Sequence, residues 1–303
     1  MKDLLQKIKI MKNPTVVGLD PVLSYIPDHI REKAKREYGT TFRAAAAAVL
    51  EFNQSLIDAL CDIVPGVKLQ SAYYEMYGPE GVRACYDTIR YAKEKDLYVI
   101  VDGKRNDIGS TSDAYAAAYL GQTSLFGTAG RAFAVDALTV NPYLGSDGIL
   151  PFVKCCETFG KGIFVLVKTS NPSGGELQDL VADGEEIYIK VAKLVNRWGE
   201  TSVNETGYSA VGAVVGATYP EQSKKLRTIM PKTVFLVPGY GAQGGTGKDI
   251  AHLFDADGMG AVVNSSRGIM CAYQRAGASG ESFTEYARKE AIRMREDIIA
   301  AIG

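Results

Sequence analysis

Histidine is almost absent from this sequence. The chain has two, His29 and His252, in 303 residues, which argues against a metal site built on histidine clusters; carboxylates alone could still hold a magnesium ion. His252 lies in a helical pattern, "GKDIAHLF", where a surface or packing role suffices. The five cysteines (Cys61, Cys85, Cys155, Cys156 and Cys271) form no C-x-x-C pair. Cys155 and Cys156 are adjacent, a spacing that seldom makes a structural disulfide, so reduced thiols are expected. No apolar run approaches membrane-spanning length. A net charge of −1 gives no electrostatic reason to expect nucleic acid or an anionic membrane as partner. The opening "MKDLLQKIKIMKN" interleaves Leu4, Leu5, Ile8 and Ile10 with charges, which suits a short amphipathic helix and not the unbroken apolar core of a signal peptide. These absences together predict a cytoplasmic protein with neither membrane nor nucleic acid as a partner.

What the sequence does contain is a repeated unit: a short β-branched run, a polar or glycine-rich stop, then a helical stretch. The runs fall at 15–20, 66–70, 98–104, 137–143, 162–170, 210–218, 234–242 and 261–268. Strands alternating with helices imply βαβ units and a parallel sheet. Eight units at this length point to an α/β fold of the (β/α)8 TIM-barrel type, although a doubly wound open sheet has the same alternation. The alanine run 44–48 reads as helix. No linker rich in Pro, Ser or Gly divides the chain, so a single domain spanning 1–303 is expected, with extended connections near 21–65 and 171–209.

In such a barrel the functional groups lie at the carboxyl ends of the strands. Those ends offer Asp20, Lys68, Asp102 with Lys104, Asn141, Thr169 with Ser170, Thr218, Gln243 and Arg267. The stretch "YVIVDGKRNDIGST" is the most telling, because an apolar strand ends in four charges within six positions. Alternate strand residues share a face, so Asp102 and Lys104 point together. Lys68 ends the preceding strand, and Asp107 follows in a loop. The expected product is an alternating array of Lys68, Asp102, Lys104 and Asp107, in which each charge favours the ionised form of its neighbour and the lysine pKa is raised. Such a lysine suits general-acid work and makes a poor nucleophile. A salt-bridge network closing the barrel end accounts for the same spacing, and the two readings stay open here.

"PGYGAQGGTGKD" after the seventh strand and "NSSRGIM" after the eighth form a second constellation. Barrels frequently bind phosphate between these two loops through backbone N–H groups, and arginine offers a fork matched to phosphate oxygens. Phosphate is the favoured reading over a plain glycine-rich turn. Asp20 in "GLDP" is either a turn residue or an acceptor for sugar hydroxyls. The aromatic run "SAYYEMYG" reads as packing and interface.

The motif D-x-K-x-x-D-I-x-x-T, here Asp102, Lys104, Asp107, Ile108 and Thr111, resembles the signature of the orotidine 5′-phosphate decarboxylases. "VGLDP", "VKLQSAYYE", "TVNPYLG", "KTSNP", "VPGYGAQGG" and "SSRGI" follow that family's order along nearly the whole chain, most like its longer bacterial (type 2) subgroup. Gly103 and Asn106 depart from the subgroup's D-A-K-R-G-D, at uncharged positions. The resemblance implies cofactor-free, metal-free conversion of orotidine 5′-monophosphate (OMP) to UMP and carbon dioxide. Lys104 would be the general acid at C6, with Asp102 beside the substrate carboxylate. Asp20 and Lys68 would hold ribose hydroxyls, Ser170 would contact the base, and Gln243 would link the phosphate loop to it. Arg267 and Gly268 would grip phosphate. The resemblance further implies a homodimer in which Asp107, Ile108 and Thr111 complete the partner's site. Other readings are a magnesium-dependent sugar-phosphate enzyme of the same superfamily, a Schiff-base aldolase using Lys104 or Lys168, and a barrel that only binds a nucleotide.

Overall fold

The computed structural model describes residues 1–241 and 245–303. Eight parallel strands close into a barrel. They are β1 (Thr15–Leu19), β2 (Gly66–Gln70), β3 (Tyr98–Arg105), β4 (Ala137–Val140), β5 (Gly162–Lys168), β6 (Val211–Val215), β7 (Phe235–Val237) and β8 (Ala261–Ser265). Each pairs with the next in sequence, and β8 pairs with β1 through Thr15↔Val263 and Val16↔Asn264. All eight expected runs are strands. Their ends fall short of the expected ones wherever the run passes into a polar turn, as at Asn141, whose side chain accepts from the Tyr143 N–H at 3.0 Å.

Strand alternation sorts the core into two compartments. Val16, Ile100, Phe164, Val214, Leu236 and Val262 point into the barrel, while Val17, Val67, Val99, Val165 and Val263 pack outward against the helices. Both faces are therefore apolar, as a parallel sheet covered by helices requires. The inner compartment is closed from below by helix α1 (Lys2–Met11), which together with Met1 contributes Leu4, Leu5 and Ile8 to it. Residues 4, 5 and 8 share one helical face, and Ile10, on the other, is 81% exposed. The helix stops at Lys12, which turns left-handed and returns its N–H to the Ile8 carbonyl.

The long connection after β1 carries α2 (Asp28–Tyr38) and α3 (Phe42–Leu60), the latter containing the alanine run and capped by Thr41, whose hydroxyl accepts from the Ala44 N–H. The connection after β5 holds a helical turn at Gly175–Gln178, a small hairpin pairing Val181–Ala182 with Glu185–Glu186, and a helix at Ile187–Gly199. A second hairpin, Thr123–Leu125 with Thr128–Gly130, presents a fully exposed Phe126 at its tip. Neither hairpin is expected from the sequence. The five cysteines are free, and among the described residues no helix is long and apolar enough to cross a membrane.

Leu4→Ala should destabilise the fold by about 2–5 kcal/mol, because the vacated space opens into the barrel floor. Ile10→Ala on the exposed face should change stability by no more than about 0.5 kcal/mol. Urea midpoints of the two variants check the assignment; equal midpoints would mean that α1 does not plug the barrel.

Candidate active site

Inward-facing positions at the carboxyl ends of β1, β2 and β3 replace the apolar filling with charge. Lys68 Nζ lies 3.1 Å from Asp102 Oδ2 and 3.7 Å from Asp20 Oδ1. Lys104 Nζ lies 2.7 Å from Asp102 Oδ1. Within this chain the array therefore runs Asp20–Lys68–Asp102–Lys104. Lys68 is 5% exposed and Asp102 13%, whereas Lys104, at the outer end, is 45% exposed. The buried charges are paired, as burial demands, and the exposed one faces open space.

Asp102 has no free lone pair to spare. Gln70 Nε2 donates to Oδ2 at 3.0 Å, and the Thr139 hydroxyl donates to Oδ1 at 2.8 Å. Thr139 Oγ1 also accepts from the Lys104 backbone N–H at 2.9 Å, so one hydroxyl ties both charged residues to β4. The strand yields to permit this. Pairing passes from Val101↔Leu138 to Arg105↔Val140, leaving extra β3 residues unmatched. Lys104 within this bulge has φ of +46°, a left-handed conformation that costs a side-chain-bearing residue about 1–3 kcal/mol. A strained residue with a charged side chain in a cleft is a candidate for a functional position.

Around the array opens a cleft of about 570 Å³ lined on one side by Thr169, Ser170 and Asn171 and on another by Pro238, Gly239, Tyr240, Ser266, Arg267 and Gly268. That volume suits a small-molecule ligand. Gly239 has φ of +92°, open to glycine at no steric cost, and this turns the chain along the rim. Two buried acceptors, Asp20 Oδ1 and Asn264 Oδ1, have no hydrogen-bond partner among the described residues. Both residues line the cleft.

Comparison with known proteins coincides with this geometry. The model of the orotidine 5′-phosphate decarboxylase / HUMPS family matches residues 42–281. The chain belongs to this family. It is 47% identical to an orotidine 5′-phosphate decarboxylase of Rhodopirellula baltica over 292 residues, covering 94% of this chain and 93% of the relative. It is 43% identical to that of Caldicellulosiruptor bescii over 300 residues, covering 99% and 98%. The solved structure of Leishmania donovani OMP decarboxylase is 30% identical, superposes with a TM-score of 0.70, and is covered to 98% by 97% of this chain. The TIM-barrel fold expected from the sequence is the fold observed, and the family resemblance holds; these relatives are carboxy-lyases by name.

Within the family frame, the cleft gathers Asp20, Lys68, Asp102, Lys104, Ser170, Arg267 and Gly268. Asp107, Ile108 and Thr111 are not among its lining residues: Asp107 Oδ1 accepts from the Ile108 N–H at 2.8 Å, and Ile108 is 55% exposed. The four-charge array expected from the sequence is thus completed by Asp20, with Asp107 set apart by the turn that follows β3. Gln243 lies outside the described residues. Thr139, Gln70, Tyr73 and Asn264 are site residues that sequence reasoning missed. A period-of-two projection from Lys68 could have found Gln70, and Asn264 could have been found by projecting β8 inward from Val262; Thr139, on β4, carries no such signal. Tyr74 is buried, and its hydroxyl donates to the Leu19 carbonyl at 3.0 Å, so the aromatic run packs as expected while Tyr73 reaches the cleft. His252 is half-buried, 2.6 Å from the Ser223 hydroxyl, with its pKa lowered mainly by burial. Burial pushes the Cys85 and Cys156 thiols up to about 12, which leaves neither a nucleophile near neutrality.

Burial alone would raise the Asp102 carboxyl; Lys68, Lys104 and the Thr139 hydroxyl outweigh it and hold the carboxyl well below the usual carboxylate range. For Lys68, burial acts downward, and Asp20 and Asp102 overcome it, so its ammonium is raised. A depressed Asp102 contributes stability that is present above the unfolded carboxylate pKa and lost as pH falls through the folded value. Raising Lys68 contributes stability that persists up to its unfolded pKa and is lost at higher pH. The stability gap between wild type and Asp102→Asn should therefore be constant from about pH 5 to 9 and shrink below about pH 4. Thermal midpoints of the two proteins against pH check this; a gap that grows on acidification would contradict the paired carboxylate.

Proposed function

We propose that this cleft converts OMP to UMP and carbon dioxide, the last step of de novo pyrimidine synthesis, without cofactor or metal. The observation that carries the reading is the graded array: three largely buried charges in fixed alternation, ending in one exposed ammonium, Lys104, that faces the cavity. In the proposed reaction the C6–carboxylate bond breaks and its electron pair stays on C6. Lys104 stabilises that developing charge and then delivers its proton to C6. Its neighbour Asp102 remains ionised throughout and holds the Lys104 ammonium in position through their 2.7 Å contact. The array is preorganised, so little reorientation accompanies the charge shift, and electrostatic stabilisation of this kind usually contributes more to catalysis than any other single effect.

Substrate roles follow from the same placement. Asp20 Oδ1 and Asn264 Oδ1, buried acceptors without hydrogen-bond partners among the described residues, suit ribose hydroxyls, and Lys68 donates beside Asp20. Ser170 faces the base, Arg267 and the Gly268 backbone take the phosphate, and Gln243 bridges phosphate loop and base. We assign Asp107, Ile108 and Thr111 to the cleft of a second copy in a homodimer. Their support is negative in this chain's own cleft and positive at Ile108, an apolar side chain left 55% exposed beside the motif. The reading also makes the chain a cytoplasmic, single-domain enzyme.

Purified protein in EDTA should deplete OMP absorbance and yield UMP. Lys104→Ala should lose on the order of 10³-fold or more in kcat while keeping its thermal midpoint within a few degrees. Turnover only after magnesium is restored, or parallel loss of fold and activity in the variant, would refute the mechanism. For the dimer, Lys104→Ala and Asp107→Ala proteins, each inactive alone, should recover up to about a quarter of wild-type activity per site when refolded together, since one mixed cleft in such a dimer is wholly native. No recovery from a demonstrated mixed dimer would remove Asp107 from the partner's site.

A further inference from the structure

Lys168 ends β5 and is 1% exposed, yet it does not line the cleft. Its ammonium lies 2.5 Å from Asp179 Oδ1 and 4.8 Å from the centre of the Tyr219 ring, with the Tyr188 ring at 5.4 Å. β5 gives way just before it: pairing with β6 passes from Leu166↔Val214 to Lys168↔Val215, one residue out of step. A buried lysine needs compensation for its lost hydration, and here an anion and two aromatic faces supply it.

The anion belongs to the segment 175–186, whose far end is tied to neighbouring helices by ion pairs of Asp183 with Lys190, Glu185 with Lys193 and Glu186 with Lys225. Leu177, Leu180 and Val181 are 47%, 52% and 66% exposed, so apolar burial contributes little to docking it on the barrel. Asp179 is fixed from both sides, accepting from Lys168 and from Gln222 Nε2 at 3.0 Å. One residue earlier, the Gln178 carboxamide grips Thr169 twice. Its Oε1 accepts the Thr169 backbone N–H at 3.0 Å, and its Nε2 donates to Thr169 Oγ1 at 2.7 Å. That hydroxyl in turn donates to Asn171 Oδ1 at 2.6 Å. Thr169, Ser170 and Asn171 are the cleft wall.

We propose that Lys168 and Gln178 are positioning residues: the buried ammonium fastens Asp179, Asp179 holds Gln178 in place, and Gln178 sets the backbone that presents Ser170 and Asn171 to the ligand. The outward connection after β5 is thus a latch for the base-facing wall. As a statement about the nucleotide, the inference rests on the proposed decarboxylase reading; as a statement about the wall, it does not.

The test compares wild type with Lys168→Met and Gln178→Ala. Hydrogen exchange, measured without ligand, should quicken at the 169–171 amides in both variants and stay unchanged in the barrel strands. With OMP, kcat/KM should fall about 10- to 100-fold, the scale of a wall displaced by about 1 Å, with KM bearing most of the loss. Unchanged exchange at 169–171, or a lowered thermal midpoint with KM unaltered, would overturn the latch and leave Lys168 a stability residue. Gln178 is only half-buried and outside the ion pair, so its variant keeps the test alive if Lys168→Met does not fold. The exchange readout needs no catalysis; a wild-type chain that leaves OMP untouched would sink the proposed activity and not the latch.

Discussion

The Asp102 carboxylate holds the site together. Each of its oxygens serves two donors: Lys68 and Gln70 on one, Lys104 and Thr139 on the other. Removing it would leave Lys68 buried beside a single, more distant carboxylate, a situation that costs about 3–5 kcal/mol when a buried pair is broken. The carboxylate also decides where Lys104 points within the cleft. The pairing of the buried lysine and the aim of the exposed one therefore converge on one group, and neither can be altered without the other.

Strain and satisfaction are balanced around that group. The left-handed Lys104 is sustained by a hydrogen bond from its own N–H to Thr139, while the same hydroxyl steadies Asp102. A bulge in one strand would be a defect in a scaffold that only had to be stable. Placed at the mouth of a closed barrel, between rigid neighbours, it aims a cation into a cavity without loosening the sheet.

The barrel was legible because its signal is redundant. Eight β-branched runs, each ending in a polar stop, leave few other architectures, and the match between expected and observed strands follows from burial on both faces. The charged cluster was legible for a different reason: two carboxylates and two lysines cannot be placed at adjacent strand ends without consequence. Thr139 was not legible, because a threonine inside "ALTV" has the same appearance as one that merely packs. Nor was the bulge, since a local change of register leaves no mark on composition. The Thr123–Gly130 hairpin escaped because its strands are three residues long and exposed, without the alternation that a buried face imposes. Asp107, Ile108 and Thr111 belong to the motif in sequence but stand apart from the cleft in space, a separation that spacing alone does not reveal.

The plug beneath the barrel gives the site a direction. Met1, Leu4, Leu5 and Ile8 seal the inner compartment with hydrocarbon, and Ile100, Phe164 and Val262 continue the seal up to the charged layer. The charges therefore sit on an apolar floor with the cleft opening above them. Of the four charges Lys104 is the most exposed, so it is the one a ligand entering the cleft meets most directly. A ligand seated in the cleft would cover the exposed side of Lys104, while hydrocarbon lies beneath the array. Occupancy thus changes the surroundings of the array on one side only, exchanging water for ligand above a floor that stays hydrocarbon.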